Sequence, residues 1–265
     1  MEDLRGKTVL LTGASAGLGP HIARRLHRAG AKFVLSARSG PALRKLAKEL
    51  GGSRVVVADL SLPGEPERLA RAAGRVDVLV SNAGLPASGA LTSYTIAQLD
   101  RALTVNLRAG IVLARELAPA MIKRKSGHLV FMSSVAGKVP TAAATLYHAT
   151  KFGLRGFGLA LREELWGSGV GVSVIYPTFV SKVGMWAETG LKVNPMAGEV
   201  SPEQVAEAVW SAITKNRGEV DVVPFQVRAG VVAQALVPGL FTSIARSTGA
   251  TRAIDELTEK QRSKR

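Results

Sequence analysis

Residues 8–19 read TVLLTGASAGLG. A short Val- and Leu-rich run is followed by a turn with glycines at 13, 17 and 19, then by the amphipathic pattern IARRLHRAG at 22–30. A β-rich run, a glycine turn and a helix in direct succession form an anion cradle. The glycines let the backbone turn sharply and approach a bulky ligand, and the helix start offers free N–H groups and a positive dipole end to phosphate. The spacing differs from G-x-G-x-x-G, so the strand–turn–helix setting carries the reading. Pro20 has no N–H but is tolerated in a first helical turn, so phosphate contacts are expected from the amides of Gly17 and Leu18.

The same alternation runs outward from this stretch. KFVLS (32–36), RVVVADL (54–60) and VDVLVSNAG (76–84) alternate with PALRKLAKELGG (41–52) and EPERLARAAG (65–74). Helical stretches at about 95–125, 146–168 and 202–216 lead to HLVFMSS, VGVSVIYP and EVDVV, respectively or in turn. Short Val-rich runs separated by amphipathic segments signal βαβ units, hence an α/β fold with a doubly wound sheet of about seven mainly parallel strands and helices on both faces. No repeat or linker divides residues 1–223, which read as one domain. Residues 178–201 lack a period and carry Val183, Met185, Trp186, Leu191 and Met196, the composition of a flap over a site. Residues 224–265 form an apolar and basic extension interrupted by Pro238 and Gly239, too broken to span a bilayer.

Bulk composition narrows the function. The 265 residues contain no cysteine, which excludes disulfides, thiolate metal sites and a cysteine nucleophile; no metal-binding set is expected. The acidic start and short first apolar run do not resemble a secretory signal, so a soluble, cytoplasmic protein is expected. The net charge is +15; Lys and Arg against Asp and Glu number 11 and 4 in residues 1–60, 17 and 13 in 61–223, and 7 and 3 in 224–265. The basic N-terminal quarter suits an anionic ligand. No aromatic-interleaved basic stretch or known nucleic-acid signature accompanies it, and nucleic acid is not expected as a partner.

After the second strand, SARS (36–39) offers no acid to an adenosine ribose hydroxyl. Ala37 leaves room and Arg38 supplies a planar guanidinium suited to a 2′-phosphate, which makes NADP(H) the expected cofactor. Further along, YHATK places Tyr147 and Lys151 at i and i+4 on one helix face. A cation held beside a phenol favours phenolate and lowers its pKa from about 10. His148 points about 100° away from the tyrosine on a helix and reads as structural or substrate-facing, outside proton transfer.

TGASAGLG, Asp59-Leu60, NAG at 82–84, Asn106, Ser134 and YHATK occur in the order of the short-chain dehydrogenase/reductase family, which residues from about 5 to 223 resemble. The resemblance implies a Rossmann-type fold, a nicotinamide cofactor, and hydride transfer between it and a carbonyl or alcohol. It implies a tetrad of Asn106, Ser134, Tyr147 and Lys151: Tyr147 as proton donor and acceptor, Lys151 as the cation that also holds the nicotinamide ribose, Ser134 holding the substrate oxygen, and Asn106 anchoring a water that links Lys151 to solvent. Ser134 is preferred over Ser133 because it stands 13 positions before the tyrosine, as in the family motif. Cofactor contacts implied for the family fall on Gly13, Ser15, Gly17, Leu18, Gly19, Arg38, Asp59, Leu60, Asn82, Ala83, Gly84, Tyr147, Lys151, Pro177, Val180 and Ser181. Asp59 would bond the adenine amino group with Leu60 beside the ring, and Asn82 would brace the central strands. Threonine stands at 178 where relatives usually carry glycine.

The apolar flap and the tail residues Phe225, Val231, Leu236, Leu240, Phe241 and Ile244 suggest a hydrophobic ketone or alcohol as substrate, although the tail could equally cover core or subunit surface. Arg228, Arg246 and Arg252 beside these residues are compatible with peripheral membrane contact. The resemblance implies a homodimer or homotetramer paired through the two long helices. The competing reading is a non-catalytic NADP(H)-binding regulator.

Overall fold

The computed structural model describes residues 3–142, 144–190, 198–237 and 239. The expectations for Leu191, Met196, Pro238, Leu240, Phe241, Ile244, Arg246 and Arg252 fall outside these residues. Seven strands form one sheet: β1 (Thr8–Thr12), β2 (Lys32–Ala37), β3 (Arg54–Val57), β4 (Val78–Ser81), β5 (Gly127–Met132), β6 (Val170–Pro177) and, after a separate ribbon of β7 (Phe179–Val180) and β8 (Glu199–Val200), β9 (Glu219–Val222). Their order is β3-β2-β1-β4-β5-β6-β9, and every pairing is parallel.

The alternation along β1 shows why the sheet needs cover on both faces. Val9 and Leu11 pack with the core that includes Ile22, Leu26, Leu43 and Val205, while Leu10 packs with the one that includes Leu69, Leu113 and Leu154. The first core lies under α1 (Leu18–Arg28), α2 (Gly40–Glu49) and a helix at Pro202–Thr214; the second lies under α3 (Glu65–Ala73) and helices at Ala109–Lys123 and Thr145–Glu164. Each such fully buried aliphatic side chain contributes about 1.5–3 kcal/mol.

The remaining helices complete the numbering: α4 (Ile96–Leu103), α5 (Ala109–Lys123), α6 (Thr145–Glu164), a four-residue α7 (Gly184–Ala187), α8 (Pro202–Thr214) and α9 (Phe225–Leu236). α4 opens on a reciprocal Thr95–Gln98 cap and joins α5 through a single wider π turn, Thr104–Arg108. The continuous pattern read at 95–125 is thus a helix with a register shift in its middle. No residue of α9 is buried, and no helix among the described residues is long and apolar enough to cross a membrane.

From β1 the chain winds outward to β3 and then returns to β4 beside β1. In doubly wound sheets the crevice for a ligand lies at such a reversal, above the carboxyl ends of the two strands. The loops carrying the sequence-singled residues leave β1, β4, β5 and β6 at that same edge.

Candidate active site

The glycine turn is pressed against the loop after β4. Gly13 has φ +62, and a Cβ there would lie 2.9 Å from the Ala83 Cα, so the position excludes a side chain on two grounds. Thr12, fully buried, accepts at Oγ1 from the N–H of Asn82 (3.0 Å) and of Ala83 (3.1 Å). Asn82 answers by donating its Nδ2 to the carbonyls of Thr12 and Gly13, both at 3.2 Å. Asn82 therefore braces β1 to β4, as read from sequence, but through a threonine that the sequence reading missed. A Thr directly before the glycine turn was the available signal. α1 starts at Leu18 with Gly17 as its cap residue, Gly19 gives its N–H to the Ala16 carbonyl at 3.1 Å, and half-buried Ser15 lies in the same turn.

At the far end of the crevice, Asp59 Oδ1 accepts from the Ser61 N–H (3.0 Å) and hydroxyl (2.7 Å). Burial opposes its ionisation, but these bonds and the positive charges of Arg38 and Arg101 outweigh it and hold the carboxyl below its ordinary pKa. Arg38 is exposed at the end of β2, free to meet an anion from solvent. Arg101, on α4, joins this electrostatic environment and was not singled out from sequence; nothing in a helical surface arginine foretells it. Leu60 is buried within the second core, which limits how much of its side chain could lie against an adenine ring.

The residues expected to react converge at the ends of β5 and β6. Ser133 turns inward and donates to the Lys151 carbonyl at 2.9 Å. Its neighbour Ser134, in extended conformation, accepts the Ala136 N–H at 3.2 Å, donates to the Pro177 carbonyl at 3.3 Å and lies close enough to the Tyr147 phenol to draw down its pKa. Lys151, only 5% exposed, donates Nζ to the Met132 carbonyl at 2.8 Å and sits 5.4 Å from the centre of the Tyr147 ring. Tyr147 itself packs on the small cluster of Ala87, Ala102 and Leu146.

Burial governs the titration of both groups. It pulls the Lys151 ammonium down to about 8 and pushes the Tyr147 phenol up, with the neighbouring Ser134 hydroxyl drawing it partway back. The expected lowering of the phenol by the lysine is thus reversed in this arrangement. Dehydration of the phenolate sets the direction, while the Lys151 ammonium is directed at the Met132 carbonyl.

Asn106 occupies the π turn, a device often found where a helix must present a functional residue. Its Oδ1 accepts the Leu85 N–H at 2.6 Å and its Nδ2 donates to the Leu85 carbonyl at 3.0 Å. The side chain pins the loop after Gly84, leaving its second Nδ2 hydrogen for any water.

The described residues of the segment after β6 pack against the glycine turn and the loop after β4. Thr178 continues the β6–β9 pairing through its N–H to the Val222 carbonyl at 3.2 Å and needs no left-handed backbone, so the threonine fits where glycine is usual. Val180 lies in β7, and Ser181 bonds the Val200 carbonyl through both N–H (3.0 Å) and hydroxyl (3.3 Å). The flap's Gly184 Cα comes within 3.4 Å of the point a Gly17 Cβ would occupy, and Met185 Cε within 3.3 Å of that for Gly84. Trp186 stacks obliquely on Phe179 with ring centres 4.4 Å apart.

Comparison with known proteins agrees with this construction. Residues 7–194 match the family model described as short chain dehydrogenase. A ketoacyl reductase, HetN, of Nostoc sp. is 39% identical over 230 residues, covering 84% of this chain and 80% of that protein. A metagenomic short-chain oxidoreductase solved with NADP superposes with TM-score 0.69 at 35% identity, covering 83% of this chain and 96% of its own. An actinorhodin polyketide ketoreductase solved with NADPH gives 0.75 at 29% identity, covering 84% and 98%. With a switch-point crevice, a glycine turn on its floor and a Ser–Tyr–Lys cluster at its rim, the chain belongs to the short-chain dehydrogenase/reductase family.

Proposed function

We propose that this short-chain dehydrogenase/reductase is an NADP(H)-dependent oxidoreductase of C=O and CH–OH groups whose substrate is a hydrophobic ketone or secondary alcohol. The observation that carries the reading is the gathering of Ser134, Tyr147 and buried Lys151 at the carboxyl ends of β5 and β6, with Lys151 Nζ 5.4 Å from the centre of the Tyr147 ring. The relatives that are ketoreductases, and those solved with NADP or NADPH, support the reaction class and the cofactor.

The residues present fit the dinucleotide. The side-chain-free surface of the turn leaves backbone for the pyrophosphate; with Gly19 N–H used internally and Pro20 lacking one, Gly17 and Leu18 supply the donors. Asp59 would face the adenine end and Arg38 its 2′-phosphate, while Ala83, Gly84, Pro177, Val180 and Ser181 would hold the nicotinamide end. When bound, the reduced nicotinamide supplies hydride to the substrate carbon. Negative charge then grows on the substrate oxygen, where the Ser134 hydroxyl stabilises it and Tyr147 delivers a proton. A neutral phenol is in the donor form at pH 7 and can supply the proton that carbonyl reduction needs. Lys151 orients the ribose and stabilises the phenolate left behind, and Asn106 holds the floor of this corner. Met185, Trp186 and Phe179 give the substrate side its apolar character.

The test is NADPH oxidation against a panel of apolar ketones and small polar sugars, with Tyr147→Phe alongside. Turnover of apolar ketones, reduced about 10³-fold in the variant, is expected for loss of a general acid. Comparable turnover in the variant refutes the assigned acid, and preference for sugars refutes the substrate class. A non-catalytic NADP(H) regulator has no use for the buried lysine–tyrosine pair and is disfavoured.

Exposed Leu103, Ile122 and Phe152 on α4, α5 and α6 favour pairing of two copies through these helices, which light scattering would read as twice the monomer mass or more. Exposed Phe225, Val232 and Leu236 of α9, beside Arg228, favour a further contact, to which an anionic membrane surface is suited. Absence of co-sedimentation with anionic vesicles at low salt would eliminate that contact.

A further inference from the structure

His148 stands next to Tyr147 but faces away from it and is 7% exposed. Its Nδ1 lies 2.7 Å from the Ala136 carbonyl, and its Nε2 lies 2.9 Å from both the N–H and the hydroxyl of Thr141. A carbonyl only accepts and a backbone N–H only donates, so these partners select one form of the ring: neutral, with the proton on Nδ1. Burial, which lowers the His148 pKa, favours the same form.

These bonds staple both ends of the 136–141 loop to α6. Ala136 is also the residue whose N–H holds Ser134 Oγ at 3.2 Å, so the clamp and the serine meet in one residue. The loop has little alternative room: a Cβ on Gly137 would lie 2.6 Å from Ser133 Oγ and 2.7 Å from the Lys151 carbonyl.

We propose that His148 is a positioning residue for the reaction, its Nδ1–H holding the Ala136 carbonyl so that the Ser134 hydroxyl is aimed at the Tyr147 phenol and the substrate oxygen. This rests on the reductase reading above. Asn and Gln separate the two halves of the clamp, because Asn Nδ2 stands as many bonds from the main chain as the ring Nδ1, and Gln Oε1 as many as the ring Nε2. With NADPH and the best ketone of the panel, His148→Ala is expected to lower kcat by about 10–100-fold, the cost of small misplacements of a reacting group, with NADPH affinity unchanged. His148→Asn is expected to restore most of the rate, and His148→Gln little of it. In a Ser134→Ala background, His148→Ala should cost almost nothing further, since both act through one hydroxyl.

An unchanged kcat in His148→Ala, equal rates for the Asn and Gln variants, or additive losses with Ser134→Ala would each overturn the proposal. Amide hydrogen exchange over 134–141 serves as a readout independent of turnover. Faster exchange in His148→Ala, restored in His148→Asn, supports the clamp even if no panel carbonyl is reduced, an outcome that would count against the reductase reading alone; unchanged exchange overturns the clamp.

Discussion

The two ends of the β5–β6 pair bury polar groups for opposite purposes. At the amino end, fully buried His128 bonds Ser173 Oγ at 2.8 Å, and that hydroxyl donates to the Arg217 carbonyl at 2.5 Å. Arg162 closes the same end by donating to the Val172 carbonyl at 2.7 Å and the Asn216 side chain at 2.9 Å. The Ser173 hydroxyl and the Arg162 guanidinium both find acceptors there, and the histidine is driven neutral, its pKa lowered to about 3 by burial. At the carboxyl end, Lys151 has three ammonium hydrogens and gives one to the Met132 main-chain carbonyl, while Tyr147 stands beside Ser134 with its phenol available to a ligand. Two strands thus carry a closed polar set at one end and one with spare capacity at the other. Spare capacity in a dry site is unfavourable for folding and is what a reaction uses.

Replacing one buried polar side chain at each end would sharpen the contrast most. Lys151→Met is expected to reduce kcat/KM by about 10²–10³-fold, in the range of lost acid–base and electrostatic assistance. His128→Asn should leave the specific activity of folded protein within about two-fold while lowering stability by about 1–3 kcal/mol, the cost of disturbing a buried hydrogen-bonded group. Initial rates beside urea melts check both. A His128 variant with normal stability and poor turnover would break the division between the ends.

The next largest effect is a dependence on acid. His128 has a folded pKa of about 3 against an ordinary 6.5, so the unfolded chain binds its proton first as pH falls. Its contribution is therefore intact above pH 6.5 and declines progressively toward pH 3. By pH 5 the loss is about 2 kcal/mol. Unfolding free energies at pH 7 and pH 5 should accordingly differ less in His128→Asn than in the parent, by about that amount. Equal slopes would mean that the histidine is not driven neutral by its surroundings.

The carboxyl end was the more legible in the sequence. Strand succession, the glycine turn and the Ser134–Tyr147–Lys151 spacing are local patterns, and a parallel sheet with right-handed crossovers brings such loop residues to one edge. What escaped depends on partners distant in sequence or on burial. Thr12 acts through Asn82, 70 residues away, and Asn106 shifts a helix register because its partner is the Leu85 backbone. His128 reads as an ordinary strand residue until Ser173 is placed opposite it. The direction of the Tyr147 shift was missed for the same reason, since spacing gives proximity to a charge but not the dryness that outweighs it.

That dryness makes a smaller effect of Lys151→Met informative. Burial lowers the lysine to about 8 from 10.5, so the folded state releases a proton that the unfolded state keeps. Its destabilising contribution is full below pH 8 and fades as pH rises to 10.5. The full shift corresponds to about 3 kcal/mol, from which the bond to Met132 subtracts, so Lys151→Met is expected to gain about 1 kcal/mol at pH 7. Melts of both proteins should converge near pH 10, where the parent lysine is neutral in the folded state and losing its charge in the unfolded one. A gain independent of pH would trace to better packing by methionine and not to relief of a buried charge. A loss at pH 7 would show that the Met132 bond outweighs burial, making the carboxyl end as closed as the amino end.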